Sequence, residues 1–252
     1  MSKAEVVKEQ VFPNGYTVIG ERYCILDKSL EPGEVVQAER GTMMYMTPNV
    51  EMSTKFNGTA ILSGEPIAKV HFTNKGTATE RVGLATNMPM AVVVPIEMDR
   101  HAGILNCKRG AYMASDTTVR VMPKMLPSRS CTACLCGGMP PVIQELRGTG
   151  FAVINAGGTI VKQVLAPGQE LIVSSDSIVA FTDTVGFDVR QVGSLLTCCC
   201  GGEGFFNTVL TGPGTVYLQT LSYERLARQL VVVHEANSSG ASAGALAAAA
   251  SQ

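Results

Sequence analysis

Apolar residues along the chain fall in short runs rich in β-branched and aromatic side chains, each cut off by glycine or proline. Phe151-Ala152-Val153-Ile154 and Thr215-Val216-Tyr217-Leu218-Gln219 are two of them. Such runs predict many short strands joined by tight turns, and alternation along a strand leaves each sheet at least one face to bury. Helical spacing of apolar residues occurs at Tyr223-Glu224-Arg225-Leu226-Ala227-Arg228-Gln229-Leu230, which predicts a short closing helix packed on the sheets. From Asn237 onward Ser, Gly and Ala dominate. So little side-chain bulk cannot offset the entropy lost on ordering, and the tail over 234–252 is expected to be disordered.

The strand pattern recurs. Leu30-Glu31-Pro32-Gly33-Glu34 lies over Leu165-Ala166-Pro167-Gly168-Gln169, and continuing without a gap puts Met43, Met44, Met46 and Val50 on Ile178, Val179, Phe181 and Val185. In a middle copy Arg109-Gly110 falls on Arg40-Gly41, and Met113 and Val119 fall on Met44 and Val50. A second element, Cys136-Gly137-Gly138 to Leu146-Arg147-Gly148-Thr149-Gly150, superposes on Cys200-Gly201-Gly202 to Leu210-Thr211-Gly212-Pro213-Gly214, with a fainter copy at Ser63-Gly64-Glu65 and Gly76-Thr77. The period is about 65 to 75 residues.

In Leu-x-Pro-Gly, proline presets the first corner of a turn and glycine accepts positive φ at the second, the signature of a type II turn. One such unit has too few strands to cover its apolar face, so three are expected to share an interior. The expected organisation is an N-terminal extension over 1–12, a single repeated all-β domain over 13–233 with repeats at about 13–90, 91–158 and 159–222, and the tail over 234–252.

Composition narrows the functions. A chain of 252 residues that is 46% hydrophobic can build a sizeable core. With a net charge of −1 and 16% charged residues, it has no surplus of positive charge for nucleic acid or anionic lipid. The one notably basic loop, Lys124 to Arg129 with Pro123 and Pro127, holds no aromatic ring on which a base could stack. It reads as a solvated linker, and no nucleic-acid partner is expected.

The apolar stretches Met90 to Ile96 and Leu230 to Val233 fall short of the roughly 20 residues of a membrane-spanning helix, so no transmembrane segment is expected. Met1 to Gln10 carries Glu5 and Glu9 among its lysines and has neither an apolar h-region nor an arginine-rich amphipathic pattern, which predicts no signal or transit peptide and a cytoplasmic address. Three of the eight cysteines are consecutive, Cys198 to Cys200. Adjacent cysteines are poor partners in an unstrained disulfide, which favours a reducing compartment.

Candidate chemistry is sparse. His71, His101 and His234 are the only histidines, and none has the spacing of a zinc hydrolase or cupin-type metal site. His71 reads as a strand residue, and His101, beside Asp99 and Arg100, as part of a solvated turn. The Gly-x-Gly sequences at Gly148, Gly202 and Gly212 precede β-rich runs, not helices, so they read as turns and not as phosphate cradles. The sharpest hint is Cys131-x-x-Cys134-x-Cys136 with Cys198-Cys199-Cys200, because the gapless superposition puts Cys134 on Cys198 and Cys136 on Cys200. Thiolates gathered from matching hairpins suit zinc, copper(I) or iron–sulfur clusters. Against that stands the bland reading, in which cysteine is a small core residue, as expected for Cys24 and Cys107.

Gly201-Gly202-Glu203-Gly204-Phe205-Phe206 followed by Leu210-Thr211-Gly212-Pro213-Gly214-Thr215-Val216-Tyr217-Leu218-Gln219-Thr220 resembles the closing signature of the altered-inheritance-of-mitochondria family of number twenty-four. Gly41 to Met52, Gly64 to Phe72, Arg109 to Ser115 and Leu165 to Val173 resemble its other blocks in order, so the likeness covers about 14 to 230. The resemblance implies the fold of the tryptophan RNA-binding attenuation protein: all-β, with repeated β-sandwich or double-stranded β-helix units, which tend to self-associate and carry no assigned activity. It also links fungal relatives with mitochondrial inner-membrane organisation and makes mitochondria the alternative address. Two functions follow as expectations. The first is a non-catalytic scaffold or interaction protein, a homo-oligomer without catalytic residue or cofactor. The alternative is a thiol-based metal-binding or redox protein using Cys134, Cys136, Cys198 and Cys200.

Overall fold

The computed structural model describes residues 9–21, 23–56, 68–88, 90–126, 142–191, 206–227 and 230. Two strands, β1 (Glu9–Val11) and β2 (Tyr16–Ile19), open the fold as a hairpin. Residues 9–11, expected as part of an N-terminal extension, therefore belong to a sheet.

Among the described residues eighteen strands follow in three successive sets of six. The first set is β3 (Ile25–Leu30), β4 (Val35–Ala38), β5 (Met43–Met46), β6 (Val50–Phe56), β7 (Ala68–Asn74) and β8 (Glu80–Ala85). The second is β9 (Ala91–Glu97), β10 (Ile104–Cys107), β11 (Tyr112–Asp116), β12 (Arg120–Met125), β13 (Val142–Arg147) and β14 (Phe151–Gly157). The third is β15 (Ile160–Leu165), β16 (Glu170–Val173), β17 (Ile178–Thr182), β18 (Gly186–Gln191), β19 (Phe206–Thr211) and β20 (Gly214–Gln219).

Pairing inside each set follows one scheme, all antiparallel. The first and third strands flank the sixth, as in β3-β8-β5, β9-β14-β11 and β15-β20-β17. The second and fourth flank the fifth, as in β4-β7-β6, β10-β13-β12 and β16-β19-β18. Two seams join the sets: β4 pairs with β11, and β10 pairs with β17. Among the described residues the sheets run β1-β2-β3-β8-β5, β6-β7-β4-β11-β14-β9, β12-β13-β10-β17-β20-β15 and β16-β19-β18.

Local chemistry explains the corners. Pro32-Gly33 and Pro167-Gly168 turn the chain with glycine φ of 80° and 75°, closed by Glu34 N–H to Glu31 O at 2.9 Å and Gln169 N–H to Ala166 O at 3.0 Å. The acidic or amide residue after each glycine has its own task. Glu34 Oε2 accepts from Glu31 N at 2.8 Å, and Gln169 Oε1 accepts from Ala166 N at 2.9 Å, so the side chain caps an amide the turn leaves over. A second corner recurs between the third and fourth strands, closed by Val50 N to Thr47 O, Val119 N to Asp116 O and Val185 N to Thr182 O at 3.0, 3.1 and 3.0 Å. All three valines are buried.

The interior lies between sheets and across the seams. One cluster joins Leu26, Val36, Phe72 and Leu84 to Met113 and Val153, a second joins Leu105 and Ile154 to Val179 and Tyr217, and a third joins Ile143 to Leu165, Ile178, Phe181 and Leu210. Each fully buried aliphatic or aromatic side chain contributes about 1.5–3 kcal/mol. β2 alternates buried and half-buried positions, as one-sided burial requires. By contrast β14 is buried along all seven residues, because both of its faces are covered.

Residues 223–227 are helical, near the C-terminus as expected. Ser222 caps this turn by accepting from Arg225 N at 3.1 Å, and Glu224 pairs with the buried Lys108 at 2.9 Å, tying it to the second seam. The tail over 234–252 and the Cys136 and Cys200 ends of the second recurring element lie outside the described residues.

Candidate functional site

The seams define a surface by contrast. β11 lies between β14 and β4, and β17 between β20 and β10, so Tyr112 to Ser115 and Ile178 to Phe181 are buried. β5 is the matching strand of the first set, yet among the described residues it pairs only with β8. Its side chains stand in solvent, from 37% exposed at Tyr45 to 59% at Met44. Met52 on β6 adds a further exposed methionine. At the other end β16 matches β4 and β10 but pairs only with β19 among the described residues, and Ile172 is 55% exposed.

β5 is held from one side. Gly83 on β8 lets the Tyr45 ring lie against the sheet, since a Cβ there would collide with the ring. The Tyr45 hydroxyl donates to Asp27 Oδ1 at 2.7 Å, and buried Asp27 also takes the Arg81 guanidinium. Burial, and then the carboxylate beside it, push the Tyr45 phenol up to about 12. Arg190 on β18 grips Glu170 on β16 with two bonds of 2.8 and 3.0 Å, which holds the Glu170 carboxyl below its ordinary range.

Elsewhere, charged groups join strands. Lys28 Nζ donates to Asn14 O, Ser29 O and Glu34 Oε1 at 2.7, 2.6 and 2.6 Å. Asp116 accepts from Tyr16 Oη at 2.6 Å and from Phe151 N at 2.8 Å. Clefts open on the surface, and two of them are the following. One of about 310 Å³ lies beside the second seam and is lined in part by Glu39, Lys108, Arg109 and Asn155; the other, of about 840 Å³, runs past Tyr23, Cys24 and Met90.

The sequence profile described as Mitochondrial biogenesis AIM24 matches residues 16–221. The chain belongs to that family. It is 25% identical over 223 residues to the uncharacterized protein M6_Spy0233 of Streptococcus pyogenes serotype M6, covering 83% of this chain and 86% of that protein. The crystal structure of protein SPYM3_0169 from Streptococcus pyogenes shares the fold, with a TM-score of 0.67 and 23% identity over 86% of this chain and 98% of the other.

Cys131, Cys134, Cys136 and Cys198 to Cys200 of this AIM24-family chain lie outside the described residues. Cys24 and Cys107 are buried thiols in two of the cores. Among the described residues no three His, Cys, Asp or Glu side chains gather as a metal site, and no helix is long and apolar enough to cross a membrane.

Two residues differ from the sequence reading. Lys124 is not in a solvated linker: it lies in β12, where Glu145 at 2.9 Å and Asp183 claim its ammonium and, against the cost of burial, hold it above its usual range. His101 closes a 3-10 turn over Met98–His101 and is half-buried, its Nε2 lying 3.1 Å from the Tyr217 hydroxyl. Burial, then Lys162 and Arg100, keep its pKa low. His71 is a strand residue of β7, likewise lowered by burial and then by Lys55 and Lys69. The open edge of β5 escaped the sequence reading because its apolar pattern is that of a buried strand.

Proposed function

We propose that this AIM24-family chain is a non-catalytic scaffold, acting by protein contact and self-association in mitochondrial or membrane organisation. One observation carries the reading. Side chains that fill the interior in β11 and β17 stand in solvent in β5. A methionine-rich edge, open among the described residues, offers backbone hydrogen-bonding groups together with adaptable apolar contact. The engagement of Lys28, Asp27 and Asp116 in ties between strands supports the same reading, since these ions serve the fold. We assign no catalytic residue and no cofactor. The cytoplasm is the proposed address and the mitochondrion its alternative, which fractionation of the native cell separates.

Photo-crosslinking tests the contact surface. A photoreactive residue at Met44 is expected to give discrete protein adducts in the native cell, while the same residue at Met125, exposed on β12, gives none. Equal yields at the two positions, or none at Met44, would overturn the reading.

A further inference from the structure

The cleft of about 310 Å³ beside the second seam carries polar residues that the repeated scheme does not call for. Ala85 and Asn155 hold equivalent positions, because each donates its amide to the residue just before the third strand of its set. Ala85 N reaches Thr42 O at 2.7 Å, and Asn155 N reaches Ala111 O at 2.8 Å. Glu39 and Lys108 correspond in the same way, donating across the first and second seams to Met113 O and Val179 O, each at 2.8 Å. The first set makes these bonds with alanine and glutamate, so the backbone pattern requires neither the asparagine nor the lysine of the second.

Both of those side chains are buried, and both are incompletely met as hydrogen-bonding groups. Asn155, 4% exposed, spends its Nδ2 on Gly110 O and Ala111 O at 3.3 and 3.2 Å, while its Oδ1 accepts nothing among the described residues. Lys108, 6% exposed, has its ammonium 2.9 Å from Glu224 Oε1 yet makes no well-directed hydrogen bond. A buried acceptor left unmet costs about 1–3 kcal/mol, and a charged group more. Gln219, which also lines the cleft, shows the contrast: its Oε1 accepts from Gly157 N and its Nε2 donates to Asp176 O, each at 3.0 Å.

The rest of the lining suits a ligand of both signs. Glu39 and Glu224 bring two carboxylates, and exposed Arg109 joins Lys108 as a second cation. These formal charges cancel, so a purely anionic or purely cationic ligand gains little, whereas a zwitterion meets opposite charge at each end. Met88, Ile178 and Val179 add apolar surface. We propose that this cleft binds a small zwitterion joining a carboxylate to a protonated amine. The carboxylate is held by Lys108 and Arg109, and an ammonium N–H donates to Asn155 Oδ1 with Glu39 beside it. A volume of about 310 Å³ lies at the small end of ligand pockets and limits the ligand to a compact molecule. This site is separate from the contact surface on β5.

Isothermal titration calorimetry of the full chain tests the proposal with leucine and three relatives that keep its apolar group. Isocaproate lacks the amine, isoamylamine lacks the carboxylate, and N-trimethylleucine keeps both charges without an N–H. Leucine is expected to bind at one site per chain, and each relative about tenfold more weakly or worse, the cost of one charged hydrogen bond. Asn155→Ala, which copies Ala85, should weaken leucine by about tenfold and leave isocaproate unchanged. Lys108→Met, which keeps the aliphatic stem, should weaken leucine by at least as much. Circular dichroism verifies each variant, and the four probes test the parent chain even where a variant misfolds. No heat from leucine at millimolar concentration overturns the proposal. So does N-trimethylleucine binding as tightly as leucine, or parental affinity in folded Asn155→Ala or Lys108→Met.

Discussion

Gln37 offers a direct test of the seam between β4 and β11. Its side chain is buried, and its amide nitrogen reaches Ser115 Oγ at 2.8 Å, Asp116 O at 3.1 Å and Val119 O. In Gln37→Ala the two donated protons are lost, at about 1 kcal/mol each. Buried acceptors left without a donor add about 1–3 kcal/mol, while freeing a long side chain from its fixed rotamer returns about 1.5 kcal/mol. The net loss is about 2 kcal/mol, which for a chain of this size lowers the melting temperature by roughly 4–8 °C. Urea unfolding followed by circular dichroism measures it. Gln37→Met separates the causes, since it keeps the volume and removes the donors; it should cost about as much as Gln37→Ala. A loss below about 0.5 kcal/mol for Gln37→Ala, or a Gln37→Met variant as stable as the parent, would show that packing and not hydrogen bonding holds the seam.

Other consequences are as specific. Gln169→Ala removes one exposed turn cap and should cost about 0.5–1 kcal/mol, whereas Glu34→Ala also strips the carboxylate from buried Lys28 and should cost about 2–3 kcal/mol, an order that paired thermal melts check. Gly83→Ala should push the Tyr45 ring off β8 and break its bond to Asp27, and ultraviolet titration would then find the phenol moved from about 12 toward about 10. His71 and His101 are both held below their ordinary values, so the unfolded chain binds their protons first. Their stabilisation is complete above about pH 6.5 and is lost as pH falls below it. Chemical denaturation of the His71→Gln, His101→Gln double variant should therefore show a flatter profile between about pH 7 and 5 than the parent. An unchanged slope would assign the acid loss to other groups.

Much of this architecture was legible in the linear chain wherever the deciding contacts are local. Leu-x-Pro-Gly followed by Glu or Gln set two turns, because proline and glycine act on their own backbone angles and the next side chain reaches back only three residues. Val50, Val119 and Val185 declared matching buried corners for the same reason. The settings of Lys124 and His101 are not legible in the linear chain because their partners, Asp183 and Tyr217, are distant in sequence. The same limit explains the edges. Met43 to Met46 and Ile178 to Phe181 carry equivalent apolar patterns, yet only the second is covered. A residue's type determines which strand it can form, whereas its burial depends on the strand that tertiary packing sets beside it, and β5 has no such neighbour beyond β8 among the described residues.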